Sequence, residues 1–196
     1  MAISRLRLGY FIPAVFWGTT VICGVVLGEY SRFRGLVSEL GARGTPTQPI
    51  FTIGLVLSAL LSALFIAALV EQCEIERVSK VPVLALLTFT VSIGGAAVFP
   101  LPLRAHLYFG LPSVLLSLSP LLSLVLWRGS ARLVAIRPYA TIGLCVMSLG
   151  CLAFMRRFLG DYAGLKQRLF HAGWSIWFFG LSSGFLGVVK PGGRLK

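Results

Sequence analysis

The chain has 196 residues, 57% of them hydrophobic, a mean hydropathy of +0.89 and a formal net charge of +12. That apolar content exceeds the roughly 45–50% of soluble domains, and it gathers into about six blocks of near-bilayer length with little between them. A separate soluble catalytic domain is excluded, and the positive charge reads as headgroup anchoring, with no nucleic acid as a partner.

A hydrocarbon core of about 30 Å needs about 20 helical residues. Six such spans fill one domain over residues 1–196, an all-α, polytopic transmembrane helical bundle. The first predicted span is 8–28, behind Arg5 and Arg7. Its length reads as a retained span, longer than the apolar core of a signal peptide. The second is 50–70. The third, 82–99, opens on Pro82, a residue suited to the first helical turn. The fourth, 107–127, contains Pro112 and Pro120 and is predicted to kink, with Ser113, Ser117, Ser119 and Ser123 available to the freed carbonyls. The fifth, 138–158, ends on Arg156 and Arg157, whose long side chains can snorkel to the interface. The sixth, 169–189, carries Trp174 and Trp177 near its entry as an interfacial belt. A basic tail with Lys190, Arg194 and Lys196 follows.

An even number of spans puts both termini on one side. That side holds Arg5, Arg7, Arg77, Lys80, Arg128, Arg132, Arg137, Lys190, Arg194 and Lys196. The other holds Arg32, Arg34, Arg43, Arg104, Arg156, Arg157, Lys166 and Arg168. Ten against eight, by the positive-inside rule, places both termini in the cytoplasm.

The loops on the terminus side read as solvated connectors: Glu71, Glu74, Glu76, Arg77 and Lys80, then Arg128 to Arg137. The three opposite loops are richer. The first contains Ser38-Glu39-Leu40-Gly41-Ala42-Arg43-Gly44-Thr45-Pro46, with cap and turn chemistry throughout. The second is Phe99-Pro100-Leu101-Pro102-Leu103-Arg104-Ala105-His106, stiffened by its prolines. The third contains Asp161, Gly164, Lys166, Arg168 and His171. Both histidines thus fall on one face.

Such a face suits a polar site. Glu39 or Asp161 can accept a proton, His106 can act as acid or base near neutral pH, and Arg43, Arg104 or Arg168 can hold a phosphate or carboxylate. The candidate ligand-binding set is therefore Ser38, Glu39, Arg43, Arg104, His106 and Arg168. The competing reading has these residues bind water, headgroups and each other, fixing the loops over the helix ends.

No metal is expected, because two histidines far apart in sequence fall short of a ligand set. No cofactor is expected either: a phosphate-binding glycine loop, His-Glu-x-x-His and Gly-x-Ser-x-Gly are all missing from the sequence. Cys23, Cys73, Cys145 and Cys151 form no Cys-x-x-Cys pair and read as free thiols. Gly24 with Gly28, and Gly180 with Gly184, are Gly-x-x-x-Gly pairs, suited to packing within the bundle or to a homo-oligomer. No predicted span has an acid, Lys or Arg at its centre, which counts against an ion pump or coupled transporter.

Three segments carry a family resemblance. Ser38-Glu39-Leu40-Gly41-Ala42 before the second span, Phe99-Pro100 closing the third with His106 soon after, and Gly164-Leu165 with Arg168 at the last resemble domain-of-unknown-function family 998. The second loop departs from that pattern: Leu101-Pro102-Leu103 stands where the family has a longer segment with an acid. The resemblance implies a multi-pass protein of the prokaryotic inner membrane, without implying a reaction.

The leading reading is a non-enzymatic membrane protein binding a lipid headgroup or small anion at its extracytoplasmic face, with membrane lipids as partners. The alternatives are a membrane-embedded lipid-modifying enzyme using Glu39 with His106, and a small transporter. The enzyme requires those two side chains within reach of each other or of one pocket.

Overall fold

The computed structural model describes residues 2–152 and 160–189. Six helical spans are long and apolar enough to cross a membrane: Ile3–Val26, Gln48–Ile75, Val81–Val98, Arg104–Leu126, Ala131–Cys151 and Ala163–Val189. Among the described residues there is no strand, so the chain is an all-α bundle. Arg156 and Arg157, expected to snorkel, and the tail cations Lys190, Arg194 and Lys196 lie outside the described residues.

Several boundaries move from their predicted places. The second span runs on through Glu71 and Glu74 to Ile75. The fifth begins at Ala131 with a 3-10 stretch ahead of Pro138 and is described as far as Cys151, against a predicted 138–158. The sixth starts at Ala163, six residues before the predicted 169, so Gly164, Lys166, Arg168 and His171 are helical and not loop residues. Polar residues within the first helical turns hid these starts from a hydropathy reading.

The sixth span is the axis of the bundle. Its apolar window is 56% buried, against 22% for the fourth, which lies most open on the surface. Around that axis Phe16, Phe65, Phe89, Trp174, Trp177, Phe178 and Phe185 are all 2% exposed or less. Their rings meet tilted or edge-on, as at Phe89–Trp174 (4.6 Å) and Phe89–Phe178 (5.0 Å), arrangements that favour aromatic pairs. The bundle centre is thus filled with apolar rings.

Spans five and six approach backbone to backbone. A Cβ on Gly173 would stand 2.5 Å from the Met147 nitrogen and 2.8 Å from the Gly143 oxygen, and one on Gly150 would strike the Phe170 backbone. Gly180 and Gly184 face Tyr139 and Ile136 of the same neighbour, so this Gly-x-x-x-Gly pair packs inside the bundle. The other pair does not share a helix face. Its helix ends at Val26, and Gly28 turns the chain with φ +64°.

The fourth span departs from α-geometry where its prolines predict. It reads as helix Arg104–Gly110, 3-10 stretch Leu111–Ser117 and helix Leu118–Leu126. Ser113, Ser117 and Ser123 donate to the carbonyls of Gly110, Val114 and Pro120, the local satisfaction that broken helices need in lipid. Ser119 reaches further. Its hydroxyl donates to the Pro82 carbonyl of the third span (2.7 Å) and receives the Trp177 indole N–H of the sixth (2.8 Å). Ser119→Ala would leave both partners buried and unpaired, costing about 1–3 kcal/mol. A lower melting temperature in detergent, with a shifted tryptophan emission, is the expected readout; an unchanged melt would contradict it.

The two ends of the bundle differ. At the terminus end Ser182 donates to the Leu6 carbonyl and Arg132 to that of Val188, bringing the start of the first span beside the end of the sixth. Glu71, Glu74 and Glu76 pair with Arg5, Lys80 and Arg132. The connectors there are therefore cross-linked; the Arg5–Glu71 and Lys80–Glu74 pairs are exposed and contribute only about 0–1 kcal/mol each, whereas the Glu76 carboxylate is buried against Arg132. All three ion pairs among the described residues lie at this end.

Candidate ligand-binding site

The opposite end is built from the loop at 27–47 laid across the start of the sixth span. The first N–H groups of any helix lack intrahelical partners; here Gly164 N–H donates to the Arg34 carbonyl (3.2 Å) and Leu165 N–H to that of Phe33 (2.8 Å). The loop backbone passes so close that a Cβ on Gly164 would collide with the Gly35 oxygen. Arg168, one turn on, donates to the carbonyls of Gly35 (3.0 Å) and Gly164 (3.1 Å) and to the Tyr30 hydroxyl (2.6 Å). The Tyr30 hydroxyl in turn shares its single hydrogen between the Gly35 and Leu36 carbonyls, both at 2.8 Å. Gln167 completes the fastening by accepting the Val37 N–H (2.7 Å).

Beyond this staple the chain forms a 3-10 turn, Val37–Gly41, whose Val37 and Leu40 are buried. The Arg43 N–H donates to the Leu101 carbonyl (2.7 Å), joining the first loop to the second. In the second, His106 closes the Phe99-Pro100 turn: its Nδ1 lies 2.8 Å from the Phe99 oxygen. All three loops therefore meet at one end.

Beneath them lie two cavities, of about 270 and 90 Å³, that share His106, Gly110, Ser113, Gln167 and His171 as walls. The smaller is also lined by Ser38 and Ser92, the larger by Leu36, Leu107, Leu111 and Phe170. Ser92 is 5% exposed, and its hydroxyl is a buried polar atom without a hydrogen-bond partner. His171 sits between the rings of Phe16 (4.6 Å) and Trp174 (6.1 Å), and its Nδ1 receives the Trp174 indole N–H (2.9 Å). An indole N–H only donates, so this imidazole carries its proton on Nε2. A carbonyl only accepts, so His106 is protonated on Nδ1, and its neutral form offers Nε2 as an acceptor.

The six residues singled out from the sequence divide. Ser38 and His106 line the cavity. Arg168 is half-buried in the staple. Glu39, Arg43 and Arg104 are exposed and line neither cavity. Glu39 and His106 share no hydrogen bond among the described residues, and Glu39 lines neither of these cavities. His171, Gln167 and Ser92 were missed as site residues. Among the described residues no group of three or more His, Cys, Asp or Glu side chains is placed to hold a metal, and all four cysteines are free.

A family model described as "Protein of unknown function (DUF998)" matches residues 11–184, from within the first span to near the end of the sixth. The chain belongs to the DUF998 family. No curated protein and no solved structure matches it. The resemblance read from the three loops is thus borne out, and the structure gives its DUF998 residues physical jobs. Gly164 admits the Gly35 carbonyl, Arg168 ties the loop down, Gly41 admits the Phe51 ring, and His106 closes the Phe-Pro turn. In this DUF998 chain those jobs assemble the roof and one wall of the cavity.

Proposed function

We propose that this protein binds a lipid-like amphiphile, its polar head in the cavity beneath the loops and its apolar chain along the fourth span. The observation that supports this most directly is the pairing of wall types. His106, His171 and Gln167 wall both cavities and Ser38 and Ser92 the smaller, while Leu107 and Leu111 line the larger and are also 63% and 50% exposed on the bundle surface. A cavity walled by residues that also face the bilayer gives a ligand lateral access from lipid. Its volume of about 270 Å³ is near the lower end of ligand pockets, roughly 300–1,000 Å³, enough for a head and the first carbons of a chain. The charge balance of the loops supports an extracytoplasmic position for this end in a prokaryotic inner membrane, with both termini cytoplasmic. The reading is one of binding, and it requires no reaction.

Gly110 offers a clean test. It lines both cavities, and a Cβ there would meet nothing within 4 Å, so Gly110→Leu adds bulk to the cavity without a backbone clash. Wild-type protein passed through gel filtration in mild detergent is expected to retain a specific lipid, identified by mass spectrometry. Gly110→Leu should lose most of it while melting at or above the wild-type temperature, and Glu39→Ala should retain it. Equal lipid in wild type and Gly110→Leu would sink the proposal.

A further inference from the structure

We infer that the head of this ligand is uncharged and hydroxyl-bearing, read by His106 as acceptor, His171 as donor and Ser92 as a third contact. This deepens the amphiphile reading above and rests on it. The first argument is charge. Among the described residues, none lining either cavity is Asp, Glu, Lys or Arg. A phosphate or ammonium placed there would lose its water with no oppositely charged side chain among these lining residues to pair with it, a heavy desolvation penalty. The arginines expected to hold an anion are elsewhere: Arg43 and Arg104 are exposed, and the Arg168 guanidinium is bonded to two carbonyls and the Tyr30 hydroxyl.

The second argument is the complementarity of the two imidazoles. The Trp174 bond leaves His171 with an Nε2–H donor, and the Phe99 bond leaves neutral His106 with an Nε2 acceptor. A hydroxyl both donates and accepts, so it is the simplest head group that satisfies both. The third is Ser92. A helical serine ordinarily returns its hydroxyl to a carbonyl one turn back, as Ser58 does to Gly54 (2.8 Å). Ser92 makes no such bond: its hydroxyl is buried without a partner, and the residue lines the smaller cavity. A buried orphan of this kind calls for a partner, and a second ligand oxygen fits that role. A 1-monoacylglycerol, with adjacent hydroxyls and one acyl chain, is a probe of this chemistry.

The test is competitive photolabelling of the full chain in phosphatidylcholine nanodiscs, using a monoacylglycerol with a diazirine in its acyl chain. Saturable labelling is expected in the peptides covering 104–114 and 163–171. Unlabelled monoacylglycerol should displace the probe at a concentration at least about tenfold lower than lysophosphatidic acid of the same chain length, whose phosphate is ionised. Ser92→Ala and His171→Phe should each raise the half-displacement concentration by about three- to tenfold, the loss of one hydrogen bond. Displacement by lysophosphatidic acid as good as or better than by monoacylglycerol overturns the uncharged head while leaving the amphiphile reading intact. Saturable labelling absent from both segments overturns the two together. Unchanged displacement in both variants overturns the assignment of these side chains as the contacts.

Discussion

Replacing Gly173 with leucine is expected to abolish recovery of folded, monodisperse protein from detergent, and Gly173→Ala to lower stability by about 1–3 kcal/mol, the cost of overpacking. The reason is geometric. The new Cβ would lie 2.5 Å from a backbone nitrogen and 2.8 Å from a backbone oxygen of the fifth span, with the Met147 side chain at 2.6 Å. Side chains can rotate away, but two helix backbones can separate only by opening the whole seam from Gly150 to Gly184. Small residues let helices approach in lipid, where van der Waals packing takes over much of the role hydrophobic burial has in water. Gly187, fourteen residues on in the same helix, is exposed, and a Cβ there would meet nothing within 4 Å. Gly187→Ala should therefore be neutral or stabilise by up to about 1 kcal/mol through helix propensity. Comparable melting temperatures for the two alanine variants would contradict the seam.

The seam also shows where sequence reasoning reached and where it stopped. The existence, number and order of the spans were legible because a bilayer imposes a length, and apolar composition over that length needs no tertiary information. Helix starts were less so. Arg132 and Arg137 look like loop residues, yet Arg132 lies in the 3-10 stretch and pairs with Glu76, and Arg137 opens the following α-helix and donates to the Arg128 carbonyl. The Gly-x-x-x-Gly spacing found Gly180 and Gly184 but not Gly143, Gly150 and Gly173. Spacing within one helix cannot say which face meets a neighbour.

The candidate site was half legible for the same reason. Ser38 and His106 stand in segments whose turn residues mark them as loop, and polar loop residues attract notice. His171 was grouped with the third loop and lies instead roughly two turns inside the sixth span. Ser92 is one hydroxyl in an apolar helix, indistinguishable in sequence from Ser58 or Ser62, which have partners. Only the packed structure separates the serine that is satisfied from the one that is not. The arginines misled in the opposite direction. Their charge suggested an anion, but the one most deeply engaged, Arg168, holds protein carbonyls.

That engagement leads to the second large effect. Arg168→Met is expected to release the 30–38 segment and destabilise the fold by about 2–3 kcal/mol, since charge-assisted hydrogen bonds are among the stronger ones. Methionine keeps the apolar stem but leaves the Gly35 carbonyl and the Tyr30 hydroxyl without the guanidinium, and removes the cation resting 5.4 Å from the Tyr30 ring centroid. Arg168→Lys should not restore the segment, because an ammonium lacks the planar fork that reaches both partners. Hydrogen exchange should report fast amides across 33–38 in both variants, with the sixth-span core from Trp174 to Phe185 still protected. Tyr30 supplies an independent check. Burial raises its phenol above the ordinary 10.0, against the lowering bond and charge of Arg168. A raised folded value means its contribution is present at neutral pH and lost as pH rises through that value. Wild type should therefore show an alkaline loss of stability that Tyr30→Phe lacks. Because Leu36, Val37 and Ser38 wall the cavities, loosening this segment should also release the bound lipid. Protection of 33–38 unchanged in Arg168→Met would show that the loop is held by its backbone bonds alone, and the guanidinium would lose the role assigned to it.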